Sequence, residues 1–247
     1  MGKIIAIGGG EIRDLETLPI DKEIVKLTGK KNPKALFIPT ASGDAEGYWQ
    51  TFQKVYGETL RCKPEVLYLI REHLEKSEIE ERILSSDLIY VGGGNTLKML
   101  KIWHKNGVDK LLTRAYEKGI VLSGLSAGAI CWFRYGCSDS RRFSNPEDAS
   151  FMRIKGLNLV NLTVSPHHIR EKHRDKGLIK LMKNTPGMAI ALDDNCAIEI
   201  IDSKYRIISS KKEAGAKKVY YFHGKPHEEK IKPKEDYNPI SQLLEKA

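Results

Sequence analysis

Cysteine is scarce in this chain, and long apolar runs are missing. Four cysteines occur in 247 residues, and they form neither a Cys-x-x-Cys pair nor a Cys/His spacing typical of metal ligands. A structural zinc site is therefore not expected, and the cysteines are expected to be reduced thiols. No apolar stretch approaches the roughly 20 residues that a membrane-spanning helix needs, so a membrane partner is not expected either.

The N-terminal segment "MGKIIAIGGGEIR" is interpreted as a first strand. Its apolar run extends only from Ile4 to Ile7 before the glycines begin, which is too short for a signal peptide. Ala6 occupies the position where an N-myristoylation motif requires Ser or Thr. We therefore expect a cytoplasmic protein.

Positive charge is in excess, with 41 Lys and Arg against 32 Asp and Glu and a formal net charge of +9. Such an excess would suit a nucleic-acid binder. The lysines are scattered over "KLTGKKNPK", "REKHRDKGLIKLMK" and "SSKKEAGAKK", and no aromatic side chains are interleaved with them in a stripe. A solvated basic surface is favoured over a nucleic-acid site, so nucleic acid is not the expected partner.

Apolar segments rich in Val, Ile and Leu recur through the first two thirds of the chain. They predict strands at 3–9, 34–41, 65–70, 87–94, 119–124 and 161–166. Helical spacing occurs between them, at 45–60, 77–86, 96–119 and 126–136. This alternation predicts an α/β fold with a doubly wound, mostly parallel sheet sandwiched by helices.

After residue 188 the pattern changes to short, closely spaced strands. Segments 188–192, 196–202, 205–209 and 218–222 are predicted as antiparallel strands that finish the sheet. No linker, repeat or low-complexity block interrupts the chain, so 1–247 is expected to be one domain. Functional loops of such a sheet lie at the carboxyl ends of its strands, which directs attention to the loops after 8, 40, 91, 123 and 165.

The segment "GLSAG" at 124–128 fits the G-x-S-x-G pattern of a nucleophile elbow, with a predicted strand before it and a predicted helix after it. A nucleophile on a sharp turn needs small neighbours so that the backbone can turn and a substrate can approach. The backbone N–H of Ala127 would then be one oxyanion donor. A tight turn against a closely packed helix selects the same small residues, but the flanking strand and helix favour Ser126 as a nucleophile.

Two further glycine-rich turns follow predicted strands. "YVGGGNTLKML" at 90–100 lacks the G-x-x-x-x-G-K-[ST] pattern of a P-loop, and "IGGGEIR" at 7–13 has Arg13 where the dinucleotide fingerprint has its third glycine. No cofactor is therefore expected. Bare N–H groups at a helix start can still bind an anion, including an oxyanion. Asn95 or Thr96 is the candidate N-cap of the helix after 94, and Asn95 is also a candidate substrate-binding residue.

Two histidines, His167 and His168, follow the predicted strand that ends near residue 166. A histidine at the functional edge of a sheet that also presents Ser126 is a candidate general base. Adjacent histidines on a strand point to opposite faces, and no carboxylate accompanies them at ligand spacing, so a metal site is not expected. Arg170 and Arg174 could hold a substrate carboxylate through bidentate contacts, although a solvated helix position is the commoner role.

Acidic residues that could orient the base occur in two places. "GCSDSRR" contains Asp139, and "ALDDNCA" contains Asp193 and Asp194 between two late strands. An Asp beside an Asn in a loop is often turn chemistry. The residues themselves do not choose between the two places.

Taken together, "YVGGGNT", "GLSAGAICWF", "CSDS", "SPHH" and "ALDDNCAI" resemble the dipeptidase E and cyanophycinase family of serine peptidases, which is related in architecture to the class I glutamine amidotransferases. The resemblance runs from the first strand to about residue 200. It implies a parallel-sheet α/β sandwich with Ser126 as the nucleophile and His167 as the base. It also implies that the N–H groups of Gly94 and Ala127 hold the oxyanion.

The resemblance leaves the acid open, because dipeptidase E points to Asp139 and the cyanophycinase pattern points to Asp194. The substrates that it implies are peptides with an N-terminal aspartate and aspartyl-arginine polymers. An arginine shortly after the base would suit an aspartyl carboxylate, with Arg174 preferred to Arg170. "HHIREKHRDKG" departs from the glycine-threonine-arginine type of segment expected of dipeptidase E, so an α-aspartyl preference does not follow. "SDSRRF" adds positive charge near the expected pocket.

These observations predict a serine peptidase that cleaves small peptides through an acyl-enzyme. The alternative is a non-catalytic binding module on the same scaffold, which would recognise a small acidic ligand or nucleic acid. The distance between His167 and Ser126 separates the two hypotheses. The oligomeric state does not follow from composition, and a homodimer is kept as an option.

Overall fold

The computed structural model describes residues 2–148, 150–168 and 173–245. Its strands, in chain order, are β1 Lys3–Ile7, β2 Lys34–Ile38, β3 Lys63–Val66, β4 Leu88–Val91, β5 Val121–Leu125, β6 Phe133–Ser138, β7 Met152–Lys155, β8 Val160–Ser165, β9 Ala189–Leu192, β10 Cys196–Ile201, β11 Lys204–Ser209, β12 Ala216–Phe222, β13 Lys225–Ile231 and β14 Asn238–Pro239. Its α-helices are α1 Leu18–Leu27, α2 Glu46–Phe52, α3 Lys76–Leu84, α4 Thr96–Asn106, α5 Val108–Glu117, α6 Ala127–Ile130, α7 Arg174–Met182 and α8 Ser241–Leu244.

The first sheet contains most of the parallel strands. Within the described residues its order is β14-β11-β10-β1-β5-β4-β2-β3. The strands from β1 to β3 in this order pair in parallel, whereas β10, β11 and β14 extend the other edge in antiparallel pairs. The predicted α/β fold with a mostly parallel sheet and late antiparallel strands is confirmed for this part of the chain.

A second sheet contains several strands that the sequence pattern predicts to be part of a single sheet. Its order across the described residues is β13-β12-β9-β8-β6-β7, and β6, β8 and β9 are the parallel members. The expectation of a single sheet is therefore wrong. Periodicity identifies a strand but not its partner, and within the described residues the chain passes between the two sheets four times. Two of these crossings contain candidate site residues: the elbow segment between β5 and β6, and the three-residue loop 193–195 between β9 and β10.

The helix predicted at 126–136 is wrong beyond Ile130. The chain forms only the short α6 and then enters β6, which pairs with β8 and β7. Trp132 and Phe133 are fully buried at this transition. Aromatic residues fit a pleated, buried surface well. The hydrogen bonds that pair β6 with β8 therefore decide the structure of this segment, whose helical pattern would cover only three turns.

Alternating side chains of β1 divide the core. Ile4 and Ala6 belong to the large cluster that joins one face of the first sheet to α3–α6 and to the second sheet. Ile5 and Ile7 belong to the cluster under α1 and α2 on the other face. Burial on both faces explains the nearly continuous apolar character of this strand. It also places the loop after β1 at the carboxyl edge where β5 ends.

Candidate active site

Ser126 occupies a sharp turn between β5 and α6. Its backbone has φ 58° and ψ −107°, a conformation that is strained for a residue with a side chain and is typical of functional positions. The flanking glycines permit the close packing behind it. A Cβ on Gly128 would lie 2.0 Å from the carbonyl oxygen of Val91, and one on Gly124 would lie 2.5 Å from that of Gly128. The small residues of "GLSAG" therefore serve both the strained turn and the contact of α6 with the sheet.

His167 connects Ser126 to Asp194. Its Nε2 lies 2.8 Å from Ser126 Oγ, and its Nδ1 lies 2.7 Å from Asp194 Oδ1. Because a carboxylate only accepts hydrogen bonds, Nδ1–H donates to Asp194 and Nε2 is left to accept from the serine hydroxyl. The side chains of His167 and Asp194 are 15% and 12% exposed, so the ring is sheltered yet open to a substrate.

Asp139, the other candidate acid, has a different partner. Its carboxylate lies 3.8 Å from a guanidinium nitrogen of Arg174. Both ring nitrogens of His167 are already engaged by Asp194 and Ser126. Neither ring nitrogen of His167 is therefore left for Asp139 to bind. The expectation that Asp139 could orient this histidine is corrected.

The end of β1 and the loop after it hold the three segments of this site together. The carbonyl oxygens of residues 7, 8 and 9 accept hydrogen bonds from the backbone N–H groups of Ser126, His167 and Asn195, at 3.0, 3.1 and 2.9 Å respectively. Asn195 directly follows Asp194. The three bonds therefore fix the backbone at Ser126, at His167 and next to Asp194. The position of "IGGG" after the first strand marks it as a functional loop of the sheet, but the three segments that it binds are distant in sequence and do not follow from that position.

Gly9 has no room for a side chain. A Cβ at this position would lie 1.9 Å from Asp194 Oδ1 and 2.4 Å from His167 Nδ1. Gly9→Ala is therefore expected to displace the imidazole and to lower kcat/KM by at least about 10²-fold, the cost of a misplacement of roughly 1 Å. Steady-state hydrolysis of a peptide substrate checks this expectation.

Gly29→Ala is the control for that substitution, because no atom lies within 4 Å of the added Cβ. Its positive φ of 68° predicts some loss of stability without loss of activity. Thermal unfolding of both variants separates the two effects. A Gly9→Ala protein with wild-type kcat/KM would contradict the role given to the loop after β1.

Gly94 and Ala127 each present a backbone N–H at the turns beside Ser126. Gly94 has φ +138°, and a Cβ there would lie 2.2 Å from the carbonyl oxygen of Ala41, so the position requires glycine. The next N–H, that of Asn95, donates to Ala41 at 2.8 Å. Within the described part of the chain, no hydrogen bond uses the N–H of Gly94 or of Ala127. Both donors remain for an anionic oxygen.

A cavity of about 420 Å³ opens over Ser126 and His167. Its wall includes Gly93 and Gly94 and, from the loop after β1, Glu11 and Arg13. Burial raises the pKa of Tyr48, which also lines the cavity, to about 12, so its hydroxyl is neutral. Arg13 was noted in the sequence only as the residue that spoils a nucleotide fingerprint, and its place at this cavity was missed.

Asn95 has a structural role at the start of a helix. Its side chain is the N-cap of α4 and accepts a hydrogen bond from the N–H of Lys98 at 3.0 Å. It is not among the residues that line the cavity over Ser126. The Asn95 side chain therefore caps the helix that follows the glycine turn, and its substrate-binding role stays a prediction.

Arg174 is buried and cannot reach a substrate. Its side chain is 1% exposed, its guanidinium lies 4.7 Å from the ring centre of Phe151, and it donates to the carbonyl oxygen of Cys137 at 3.1 Å. The expectation that it binds a substrate carboxylate is wrong, because helical spacing does not reveal which face of α7 packs on the second sheet. Arg170, the second candidate, lies outside the described residues.

His168 belongs to a separate, buried network. Its Nδ1 lies 2.7 Å from Asp175 Oδ1 and its Nε2 lies 2.8 Å from Ser165 Oγ. Burial lowers the pKa of His168 to about 4, so the ring is neutral near pH 7. Ser165 is fully buried, and no substrate can reach it. The second serine–histidine–aspartate chain therefore ties the end of β8 to α7, next to His167.

The described residues offer no group of three or more His, Cys, Asp and Glu side chains that could hold a metal ion. In the same ranges, the helices are all too short or too polar to cross a bilayer.

Comparison with known proteins places the chain among peptidases. Residues 4–208 match the family model of "Peptidase family S51". The "Uncharacterized peptidase YgaJ" of Bacillus subtilis (strain 168) is 35% identical over 222 residues, which cover 89% of this chain and 92% of that protein. "Peptidase E" of Nostoc sp. is 22% identical over 236 residues, 92% of this chain and 89% of that protein.

The fold is shared with a solved structure. A crystal structure of a peptidase from an acI-B1 Actinobacterium superposes with a TM-score of 0.72 over 97% of each chain, at 20% sequence identity. The matched range 4–208 includes Ser126, His167 and Asp194, and therefore the whole hydrogen-bonded chain described above.

Proposed function

Because the chain belongs to peptidase family S51, a family of serine peptidases, we propose that it cleaves small peptides through an acyl-enzyme formed on Ser126. One observation carries this proposal: His167 is hydrogen-bonded to both Ser126 Oγ and Asp194 Oδ1, at 2.8 and 2.7 Å. These distances are within the range that direct proton transfer requires. The alternative of a non-catalytic binding module expects a His167 far from Ser126, and this geometry argues against it.

In the first half of the reaction, His167 Nε2 takes the proton of the Ser126 hydroxyl as Oγ attacks the scissile carbonyl carbon. The negative charge on the carbonyl oxygen is held by the N–H groups of Gly94 and Ala127. His167 then gives its proton to the leaving amine, and the C–N bond breaks. Asp194 keeps the imidazole in the required tautomer and stabilises its positive charge.

In the second half, water replaces the amine. His167 removes one proton from the water as its oxygen attacks the acyl carbon, and the same two N–H groups hold the second oxyanion. The ester bond to Ser126 then breaks, and Oγ recovers the proton from His167. The products are a free carboxylic acid and the original enzyme.

The cavity suits a short peptide with charged groups. Its volume of about 420 Å³ is typical of small-ligand sites, and Glu11 and Arg13 give it one group of each sign. Since Arg174 is buried, Arg13 is the described cation that would face a substrate carboxylate. A peptide with an N-terminal aspartate offers an ammonium and a carboxylate close together, so it is the substrate we expect to be preferred.

The first test is labelling with a fluorophosphonate, which reacts with an activated serine. The wild-type protein is expected to be labelled at Ser126, identified by peptide mass spectrometry, and His167→Ala is expected to slow labelling by roughly 10⁴-fold or more because the hydroxyl loses its base. Ser165, which also has a histidine partner, is the internal control because it is buried. Absence of label on Ser126 in a folded protein, or equal labelling of His167→Ala, would refute the proposed mechanism.

A dipeptide panel that varies the first residue then tests the substrate class. The expected profile has its highest kcat/KM for N-terminal aspartate, and Arg13→Gln is expected to reduce that preference. A flat profile would leave the acyl-enzyme mechanism intact and remove the aspartyl preference.

A further inference from the structure

A second groove, of about 640 Å³, lies between α7 and β7. It shares no lining residue with the cavity over Ser126. Every ionisable side chain that lines it is basic, and these are Arg141, Arg153, His173, Lys176 and Lys180. We call this surface the basic groove.

The basic groove combines several charged side chains of one sign, whereas a cavity beside β8 has the single charge of Arg134 and three others contain both acids and bases. The cavity over Ser126 has Glu11 beside Arg13, and the cavity beside α1 combines acidic residues such as Glu23 with basic ones such as Arg206. A surface with interspersed acids and bases neutralises its own field, whereas a concave surface of one sign concentrates it. Part of the net charge of +9 is therefore collected at one site.

The arginines of the basic groove donate hydrogen bonds to neutral groups. Arg153 donates to the carbonyl oxygen of Asn184 at 2.9 Å and lies 3.4 Å from the hydroxyl of Thr185, and its guanidinium lies 5.0 Å from the ring centre of Tyr135. Arg141 donates to the hydroxyl of Ser150 at 3.1 Å. The pKa of the Asp148 carboxylate is lowered by its hydrogen bonds to Ser150 and by the charge of Arg141, so the charge of Arg141 is partly balanced. Arg153 is held by neutral groups alone and is oriented to receive an anion.

The lysines of the basic groove face away from the acid of their own helix. Lys176 and Lys180 are one turn apart on α7, on the same side, and both are exposed. Asp175 instead pairs with His168 and with Lys217 of β12. Among the described residues, no carboxylate lies within 4.0 Å of a side-chain nitrogen of Arg141, Arg153, Lys176 or Lys180.

We propose that the basic groove binds an acidic peptide segment. Its volume of about 640 Å³ holds a few residues, and the side-chain amide of Asn184 adds a partner for a peptide backbone. Sites for single-stranded nucleic acids typically add aromatic faces on which the bases stack. The aromatic ring that lines the groove, that of Phe151, is covered by the guanidinium of Arg174 at 4.7 Å. The proposal does not depend on catalysis at Ser126.

The test is direct binding of a fluorescent peptide that contains a run of glutamates, measured by anisotropy with Ser126→Ala protein so that no peptide is consumed. The matched peptide with glutamine in place of glutamate is expected to bind at least about tenfold more weakly, because charge-assisted hydrogen bonds are roughly twice as strong as neutral ones. Affinity for the acidic peptide is expected to fall with added salt.

Two double substitutions of lysines, one on α7 and one on α4 with the same spacing, test where the acidic peptide binds. Lys176→Glu/Lys180→Glu is expected to weaken binding of the acidic peptide at least about tenfold, and the neutral Lys176→Gln/Lys180→Gln pair is expected to give an intermediate loss. Lys101→Glu/Lys105→Glu, exposed on α4, makes the same change in net charge and is expected to leave binding within about twofold, since neither lysine lines the basic groove. Thermal unfolding confirms that each protein is folded.

The outcomes separate the proposal from its competitors. Equal losses of affinity from the α7 and α4 substitutions would mean that binding of the acidic peptide depends on net charge alone. The basic groove would then not be its binding site. No measurable binding would also overturn the proposal. Tighter binding of a single-stranded oligonucleotide than of the acidic peptide, abolished by the α7 pair, would replace the proposed occupant.

Discussion

The Ser126→Ala variant is expected to hydrolyse peptides about 10⁴- to 10⁶-fold more slowly than the wild-type protein, the range found when the nucleophile of a serine hydrolase is removed. The reason is that, in the proposed mechanism, the hydroxyl at 2.8 Å from His167 Nε2 provides the atom that attacks the carbonyl. The free N–H groups of Gly94 and Ala127 would remain and account for residual activity. The measurement is kcat/KM on the best dipeptide of the panel.

Ser123→Ala is the matched control for this substitution. Ser123 lies on β5, the strand that leads to Ser126. It is fully buried, and its hydroxyl has no hydrogen-bond partner among the described residues. Its removal is therefore expected to leave activity within a few fold and stability unchanged or higher. If Ser126→Ala kept a tenth or more of wild-type activity in a folded protein, the acyl-enzyme mechanism on Ser126 would be refuted.

The Asp194→Asn variant is expected to lose roughly 10⁴-fold in kcat, the cost of leaving the catalytic histidine in the wrong tautomer. An amide at this position can donate to Nδ1, which would move the imidazole proton to Nε2, the nitrogen that must accept from Ser126. Because the substitution conserves volume, the backbone bond between Asn195 and Gly9 is expected to persist. KM is therefore expected to change much less than kcat.

Two other aspartates, Asp193 and Asp139, provide control substitutions for Asp194→Asn. Asp193→Asn and Asp139→Asn are both expected to keep kcat within about tenfold, since Asp193 accepts from the N–H of Gly215 at 2.8 Å and Asp139 lies beside Arg174. Thermal unfolding distinguishes a loss of stability from a loss of catalysis. A larger kcat loss for Asp139→Asn than for Asp194→Asn would transfer the acidic role to Asp139.

Local features of the site followed from the sequence because they rest on steric rules of a few residues. The glycines around Ser126 indicate a strained turn, and the structure gives Ser126 a φ of 58°. Asn95 begins α4 as an N-cap, as its position before a helical pattern suggested. The parallel strands of the first sheet were also predictable, because a strand buried on both faces must be apolar along its whole length.

Contacts between distant segments did not follow from the sequence. The partners of His167 are 41 and 27 residues away along the chain, and no local pattern separates Asp194 from Asp139 as its acid. The burial of Arg174 depends on which face of α7 packs on the second sheet, and Phe151 and Cys137 decide that contact. Arg13 reaches the cavity only because the first strand lies beside β5.

The sequence by itself determined the elbow, the glycine turn after β4 and the strand–helix alternation, because backbone sterics and hydrophobic periodicity act over short distances. Only the tertiary structure decided that the chain forms two sheets and that two of the crossings between them, at Ser126 and at residues 193–195, bring Ser126 and Asp194 to the same histidine. Strand pairing and helix packing select among many partners of similar local pattern, and that selection depends on the whole folded chain.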